Sequence, residues 1–198
     1  MKLCVFQGTF NPIHNAHLRI VQYAIKKYGF DKLLIIPAYK PPHKDYEDNM
    51  SIHRLNMSKL AVNDLNNPKI EISDIEYQRD GKSYTYLTIC ELYKNYDVDG
   101  RINFIIGTDA FKQIETWYET DKLKKLIKFL VFQRENNFSP LEYNYLKEKG
   151  YDFDFDSLPF EDISSTELRE KIKNHEDLNG LISDSVKEYI TKNGLYEN

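Results

Sequence analysis

The sequence predicts an α/β fold built on an open, doubly wound, mostly parallel sheet, with a small helical part at its C-terminal end. Three observations predict it. Short continuous apolar runs recur at 3–6, 33–36, 104–106 and 129–132, the pattern of strands buried on both faces. Stretches with helical spacing separate them, and that alternation is the mark of a parallel sheet with crossover helices. Three of the strand-like runs lead into a glycine or proline, at Gly8, Pro37 and Gly107. Irregular loops then follow the carboxyl ends of the strands, where such sheets bind ligands.

Taken in order, Leu3 to Phe6 is the first strand, and Gly8 and Pro12 mark the loop after it. Leu18, Val21, Ala24, Ile25 and Tyr28 share one face of a helix that Gly29 ends. Leu33 to Ile36, closed by Pro37, completes a βαβ unit. Tyr39 to Met50, with Pro41 and Pro42, reads as a surface loop before a helix at about Ser51 to Leu65. Ile70, Ile72 and Ile75 suggest a third strand and Gln78 to Lys82 a polar turn. Ser83 is placed to cap a helix through Tyr96. Ile102 to Gly107 and Phe129 to Phe132 are the fourth and fifth strands. In Asp162 to Asn174 the spacing from Ser164 to Glu167 matches a capping box. A last helix is expected from about Ser183 to Asn193, closed by Gly194. No repeat or linker interrupts this order, so the 198 residues are expected to form a single domain, with about 160–198 as a helical subregion.

Composition narrows the function classes. With 27 basic and 31 acidic side chains and a formal charge of −4, and no long block of either sign, nothing resembles a duplex-binding surface, so no nucleic-acid partner is expected. Lysines usually decorate a solvated face, whereas Arg19, Arg54, Arg79, Arg101, Arg134 and Arg169 are scarcer and more informative. The two cysteines, Cys4 and Cys90, show no Cys-x-x-Cys spacing and suit a reduced cytoplasm. Met1-Lys2 leads directly into a strand-like run without a secretory core, and no window is apolar enough to span a bilayer. A cytoplasmic protein without a membrane partner is the expectation. Oligomeric state stays open, although aromatics among Tyr143, Tyr145 and Tyr151 are candidates for an interface.

Three strand ends carry reactive residue types that a doubly wound sheet brings to one crevice: Gly8 to His17, Pro37 to Lys44, and Gly107-Thr108-Asp109. Gly8 lets the backbone turn and approach a ligand, and the helix start after it offers N–H groups to a phosphate. His14 and His17 would lie on one face there and donate to phosphate oxygens; the alternative is a pair of partly buried capping histidines. A metal site is not expected, because no thiolate pair or further histidine cluster completes a ligand set. His43-Lys44, after two stiffening prolines, would bring a cation to phosphate or simply be solvated. Ser165, Thr166 and Arg169 sit at a capped helix start, facing a triphosphate or forming an ordinary cap with a surface arginine. Trp117-Tyr118 would stack on a flat ring, or Trp117 would belong to a core.

In order along the chain, Gln7 to His17, Pro41 to Lys44, Ser83-Tyr84-Thr85, Ile106 to Asp109, Trp117, Ile163 to Arg169 and Val186 to Tyr196 resemble the bacterial nicotinate-nucleotide adenylyltransferase family. That family lies within the larger group whose signature is a His-x-Gly-His helix start. The matches span nearly the whole chain. The resemblance implies a Rossmann-like nucleotidyltransferase fold and transfer of AMP from ATP to nicotinic acid mononucleotide, with Mg²⁺ required and pyrophosphate released. It implies that His14, His17, Lys44 and Arg169 carry catalysis, with His17 foremost at the transition state. Gly8, Thr9, Phe10, Gly107, Asp109, Arg134, Ser165 and Thr166 would bind ATP. Asn11, His43, Tyr84, Thr85, Trp117 and Tyr118 would bind the mononucleotide, Trp117 against the pyridine ring. Around the carboxylate, backbone N–H donors would favour acid over amide.

Two positions depart from the family pattern: Gln7 replaces its first glycine and Ala16 the glycine between the histidines. Alanine suits a backbone that is already helical; Gln7 either points away from the nucleotide or adds an amide contact. Two rival readings remain: another adenylyl- or cytidylyltransferase of the same superfamily, such as pantetheine-phosphate adenylyltransferase, and a nucleotide-binding regulator without turnover.

Overall fold

A computed structural model describes residues 1–42, 48–133, 138–158 and 163–197. Six strands form one parallel sheet: β1 (Leu3–Gly8), β2 (Lys32–Pro37), β3 (Ile70–Ile72), β4 (Ile102–Gly107), β5 (Ile127–Phe132) and β6 (Phe153–Asp156). Their order is β3-β2-β1-β4-β5-β6, with every pairing parallel. The chain therefore winds outward from β1 to one edge, crosses back, and winds from β4 to the other. β1 and β4 lie side by side, and their carboxyl ends open the crevice where connections diverge.

The central strands are apolar at successive residues because both faces are covered. Cys4 and Phe6 of β1, with Leu33 and Ile35 of β2, pack under α1 (Asn15–Tyr28), α2 (Asp48–Asn63), α7 (Ser165–Lys173) and α8 (Asp184–Lys192). Leu3, Val5, Leu34 and Ile36 face the other layer, which contains α3 (Thr85–Asn95), α4 (Thr108–Phe111), α5 (Thr120–Leu126) and α6 (Asn144–Glu148). Gly29 ends α1 in the left-handed conformation at φ 61°, and its N–H donates to Ile25 O. The capping box at α7 forms as its spacing predicts: Glu167 N–H donates to Ser164 Oγ, and Ser164 N–H to the Glu167 carboxylate.

The structure differs from the sequence reading at several elements. Ile75 leaves the sheet and begins a 3₁₀ turn, Ile75–Gln78, that buries Ile75 and Glu76, so the strand stops at Ile72. Ser83 does not cap α3; Tyr84 occupies the cap position, and Ser83 Oγ accepts from Lys40 N instead. The sixth strand, Phe-Asp-Phe-Asp, was not anticipated. Phe153 and Phe155 pack into the core, while Asp154 pairs with Lys128 and Asp156 meets α1. Tyr143 and Tyr151 are buried core rings, leaving Tyr145 as the exposed member of the aromatic trio proposed for an interface.

Candidate active site

The loop after β1 is held in shape by its own sequence and by four other segments. A Cβ on Gly8 would sit 2.8 Å from Cζ of Phe10, so the closely packed Phe10 ring requires glycine there. Phe10 itself takes φ 47°, an uncommon conformation for a non-glycine residue. Ala38 N–H donates to Gly8 O at 2.8 Å, Arg54 Nη1 to Thr9 O at 2.8 Å, Arg169 Nη1 to Asn11 O at 2.9 Å, and Ser165 Oγ to Pro12 O at 3.0 Å. Tyr196 OH donates to Asn11 Oδ1 at 2.6 Å. Four carbonyl oxygens that would repel a phosphate are thereby engaged by protein donors.

The loop ends at His14, the N-cap of α1, with Ala16 already inside the helix. His14 and His17 are 2% and 8% exposed, and their rings stack at a centroid distance of 3.7 Å. His14 N–H donates to His17 Nδ1 at 3.3 Å. An Nδ1 that accepts leaves the neutral ring's proton on Nε2, so His17 is set as an Nε2–H donor. Phe10 packs edge-on against its ring at 5.0 Å.

His17 faces a cleft of about 800 Å³ whose walls bring together Gly8, Thr9 and Phe10 after β1, Gly107 and Asp109 after β4, Tyr84 and Thr85 at the start of α3, Trp117 and Tyr118, and Ser165 of α7. These come from distant parts of the sequence. Tyr84 and Tyr118 pack at 4.5 Å, with Tyr118 47% exposed at the rim. Trp117 stands edge-on to Phe104 at 6.1 Å. By helix geometry the first N–H groups of α3 and α7 have no partner within their helices. His14 lies behind His17, and Asn11, Thr166 and Arg169 buttress the loop rather than line the cleft. His43, Lys44 and Arg134 fall outside the described residues.

Two buried charges behind the cleft were not anticipated from sequence. Arg54, at 0% exposure, gives Nη1 to both Thr9 O and Ala38 O and Nη2 to Tyr39 O. Glu76, at 1%, accepts from Gln7 Nε2 and Thr88 Oγ1, each at 2.6 Å, and from Tyr39 N–H at 3.2 Å. The Gln7 amide nitrogen is therefore bonded to a buried carboxylate. The scarcity of arginine marked Arg54 in the sequence without locating it; Glu76 looked like one of many surface acids.

A family model described as cytidylyltransferase-like matches residues 5–171. The nicotinate-nucleotide adenylyltransferase of Bacillus subtilis (strain 168) is 36% identical over 197 residues, 99% of this chain and 98% of that one. The chain belongs to the nicotinate-nucleotide adenylyltransferase family. The family's fold is recognisable in a distant member as well: a nicotinic acid mononucleotide adenylyltransferase of Plasmodium falciparum, solved in complex with NaAD, superposes with a TM-score of 0.77 at 24% identity, covering 99% of this chain and 97% of that one. A second structure of that protein, in complex with APC, gives 0.74 at 23%, with the same coverage of both chains. This member of the adenylyltransferase family keeps both histidines of the loop while carrying Gln7 and Ala16 around them.

Among the described residues no group of three or more His, Cys, Asp or Glu side chains gathers as a metal site, and none of the helices is long and apolar enough to cross a membrane. Asp109 supplies the carboxylate among the described residues of the cleft wall. Such a donor set suits a Mg²⁺ ion that arrives on ATP, held mainly by phosphate oxygens and water.

Proposed function

We propose that this protein transfers AMP from Mg²⁺-bound ATP to nicotinic acid mononucleotide in the cytoplasm, giving nicotinic acid adenine dinucleotide and pyrophosphate in NAD biosynthesis. A phosphate oxygen of the mononucleotide attacks the α-phosphorus of ATP. The bond from that phosphorus to the bridging oxygen breaks, and pyrophosphate leaves with its electron pair. The nucleophile is already ionised, so alignment and charge stabilisation carry the rate, and no covalent enzyme intermediate is required.

In this reading His17 Nε2–H donates to the oxygens that gain charge, Gly8 to Phe10 and Ser165 border the triphosphate, and Gly107 and Asp109 border the adenosine. Lys44 and Arg134 would add cations. Trp117 takes the pyridine ring, and the first-turn N–H groups of α3, from Thr85 on, receive the carboxylate beside the Tyr84 ring. The observation that carries the reading is the convergence of a buried, tautomer-fixed His17 and an aromatic wall at Trp117 on one cleft between β1 and β4.

The test is pyrophosphate release with ATP and Mg²⁺ and, in turn, nicotinic acid mononucleotide, nicotinamide mononucleotide and phosphopantetheine. Preferred use of the acid mononucleotide is expected. Equal use of the amide would remove the specificity, activity on phosphopantetheine alone would change the substrate class, and binding without release would indicate a regulator.

A further inference from the structure

The two side chains missed by sequence meet at one peptide group. The carbonyl of Ala38 accepts from Arg54 Nη1 at 2.6 Å, and the N–H of the same peptide, that of Tyr39, donates to Glu76 Oε2 at 3.2 Å. A buried cation thus holds the oxygen of this amide and a buried anion its hydrogen. Each polarises the group in the sense that strengthens the other bond.

The peptide sits between the two halves of the cleft. Toward the phosphate side, Ala38 N–H holds Gly8 O and Arg54 also holds Thr9 O. Toward the aromatic side, Lys40 N–H donates to Ser83 Oγ at 2.9 Å and Ser83 N–H to Lys40 O at 2.8 Å, immediately before Tyr84. Glu76 reaches both sides itself, through Gln7 on β1 and Thr88 on α3. Arg79 lies 4.0 Å from its carboxylate and bonds Thr88 as well.

We propose that Arg54 and Glu76 are positioning residues that lock the Ala38–Tyr39 peptide between them and so fix the distance between the triphosphate loop and the mononucleotide wall. Resting on the adenylyl-transfer reading above, the lock serves in-line alignment rather than binding of either substrate alone. Neither side chain touches substrate. Arg54 acts through backbone carbonyls, and Glu76 through the Tyr39 N–H and the Gln7 and Thr88 side chains; both are buried charges rather than cleft residues.

The experiment uses the full chain with Glu76→Gln, Arg54→Lys and the double variant. Glutamine keeps the volume of Glu76 without its charge, and lysine keeps the charge of Arg54 without the fork that spans three carbonyls. Each single variant is expected to lose about tenfold to a hundredfold in kcat, as small misplacements of reacting groups do. KM for ATP and for the mononucleotide should move by less than about threefold, since ground-state contacts remain. The double variant should lose little more than the worse single one, because both substitutions release the same peptide.

Normal kcat in folded Glu76→Gln, or losses that multiply in the double variant, would overturn the lock. Amide exchange, read without substrate, decides the matter even if Arg54→Lys does not fold. Tyr39 and Ser83 amides should exchange at least about tenfold faster in Glu76→Gln than in the parent, as loosened native segments do; unchanged exchange overturns the proposal. Absence of pyrophosphate release by the parent would sink the proposed function and leave the exchange result to judge the lock.

Discussion

His14 N–H donates to Nδ1 of His17, three residues on, while the two rings stack at 3.7 Å. The first histidine thereby fixes the tautomer and the ring plane of the second, and only the second lines the cleft. His17→Ala is expected to lower turnover by about two powers of ten or more, the usual cost of removing a preorganised transition-state donor. Steady-state pyrophosphate release by the folded variant checks it. Turnover close to the parent's would take His17 out of the chemistry.

Gly8→Ala tests the packing of the same loop. Its Cβ would come within 2.8 Å of Cζ and 2.9 Å of Cε1 of Phe10, and that ring is itself wedged against Phe6 and His17. The ring can yield only by giving up those contacts or by turning into the cleft it borders. Overpacking should cost about 1–3 kcal/mol of stability and displace His17, so denaturant unfolding and turnover should fall together. A variant as stable and as active as the parent would show that the Phe10 ring can move.

The central sheet was legible because β1, β2, β4 and β5 are covered on both faces and so carry apolar residues at successive positions. β6 escaped notice for the opposite physical reason. As an edge strand it alternates phenylalanines with Asp154 and Asp156, which have Lys128, Lys27, Tyr23 and Tyr28 to meet. The residues of the cleft were legible as motifs, since glycines, histidines and a helix cap announce local geometry. Arg54 and Glu76 were not, because what sets them apart is burial and the carbonyls or donors around them, and only the tertiary fold supplies those.

Asp156 ties β6 to α1. Its carboxylate accepts from Tyr23 OH at 2.9 Å, Tyr28 OH at 2.8 Å, Lys27 Nζ at 2.9 Å and Ser157 N–H at 3.0 Å. Burial pushes its pKa upward, but Lys27, the two phenols and the Ser157 amide outweigh burial and hold it below the ordinary carboxylate value. A carboxyl depressed in the folded state stabilises the fold above its unfolded pKa of about 3.9, and that contribution is lost as pH falls through the folded value. Asp156→Asn should therefore cost about 1–3 kcal/mol at neutral pH and progressively less in acid. Urea unfolding of parent and variant across that range checks it; a gap independent of pH would mean the carboxylate charge is not what α1 reads.

Arg169 separates two ways of using one guanidinium. The motif it closes implies a phosphate ligand, whereas its Nη1 donates to Asn11 O and to Ser165 O at 3.1 Å, and Nη2 to Thr166 Oγ1 at 3.2 Å. A fork is needed for that geometry, because one ammonium cannot replace donors that point to the loop and the helix at once. Arg169→Lys keeps the positive charge but lets go of the loop. If holding Asn11 is the main role, kcat should fall about tenfold while KM for ATP changes by less than about threefold, since the loss is in alignment and not in ground-state binding. A rise in KM for ATP at unchanged kcat would mean that the guanidinium leaves Asn11 for phosphate once ATP is bound, and that the clamp on the loop falls to Ser165 and Tyr196, which reach Pro12 O and Asn11 Oδ1 without it.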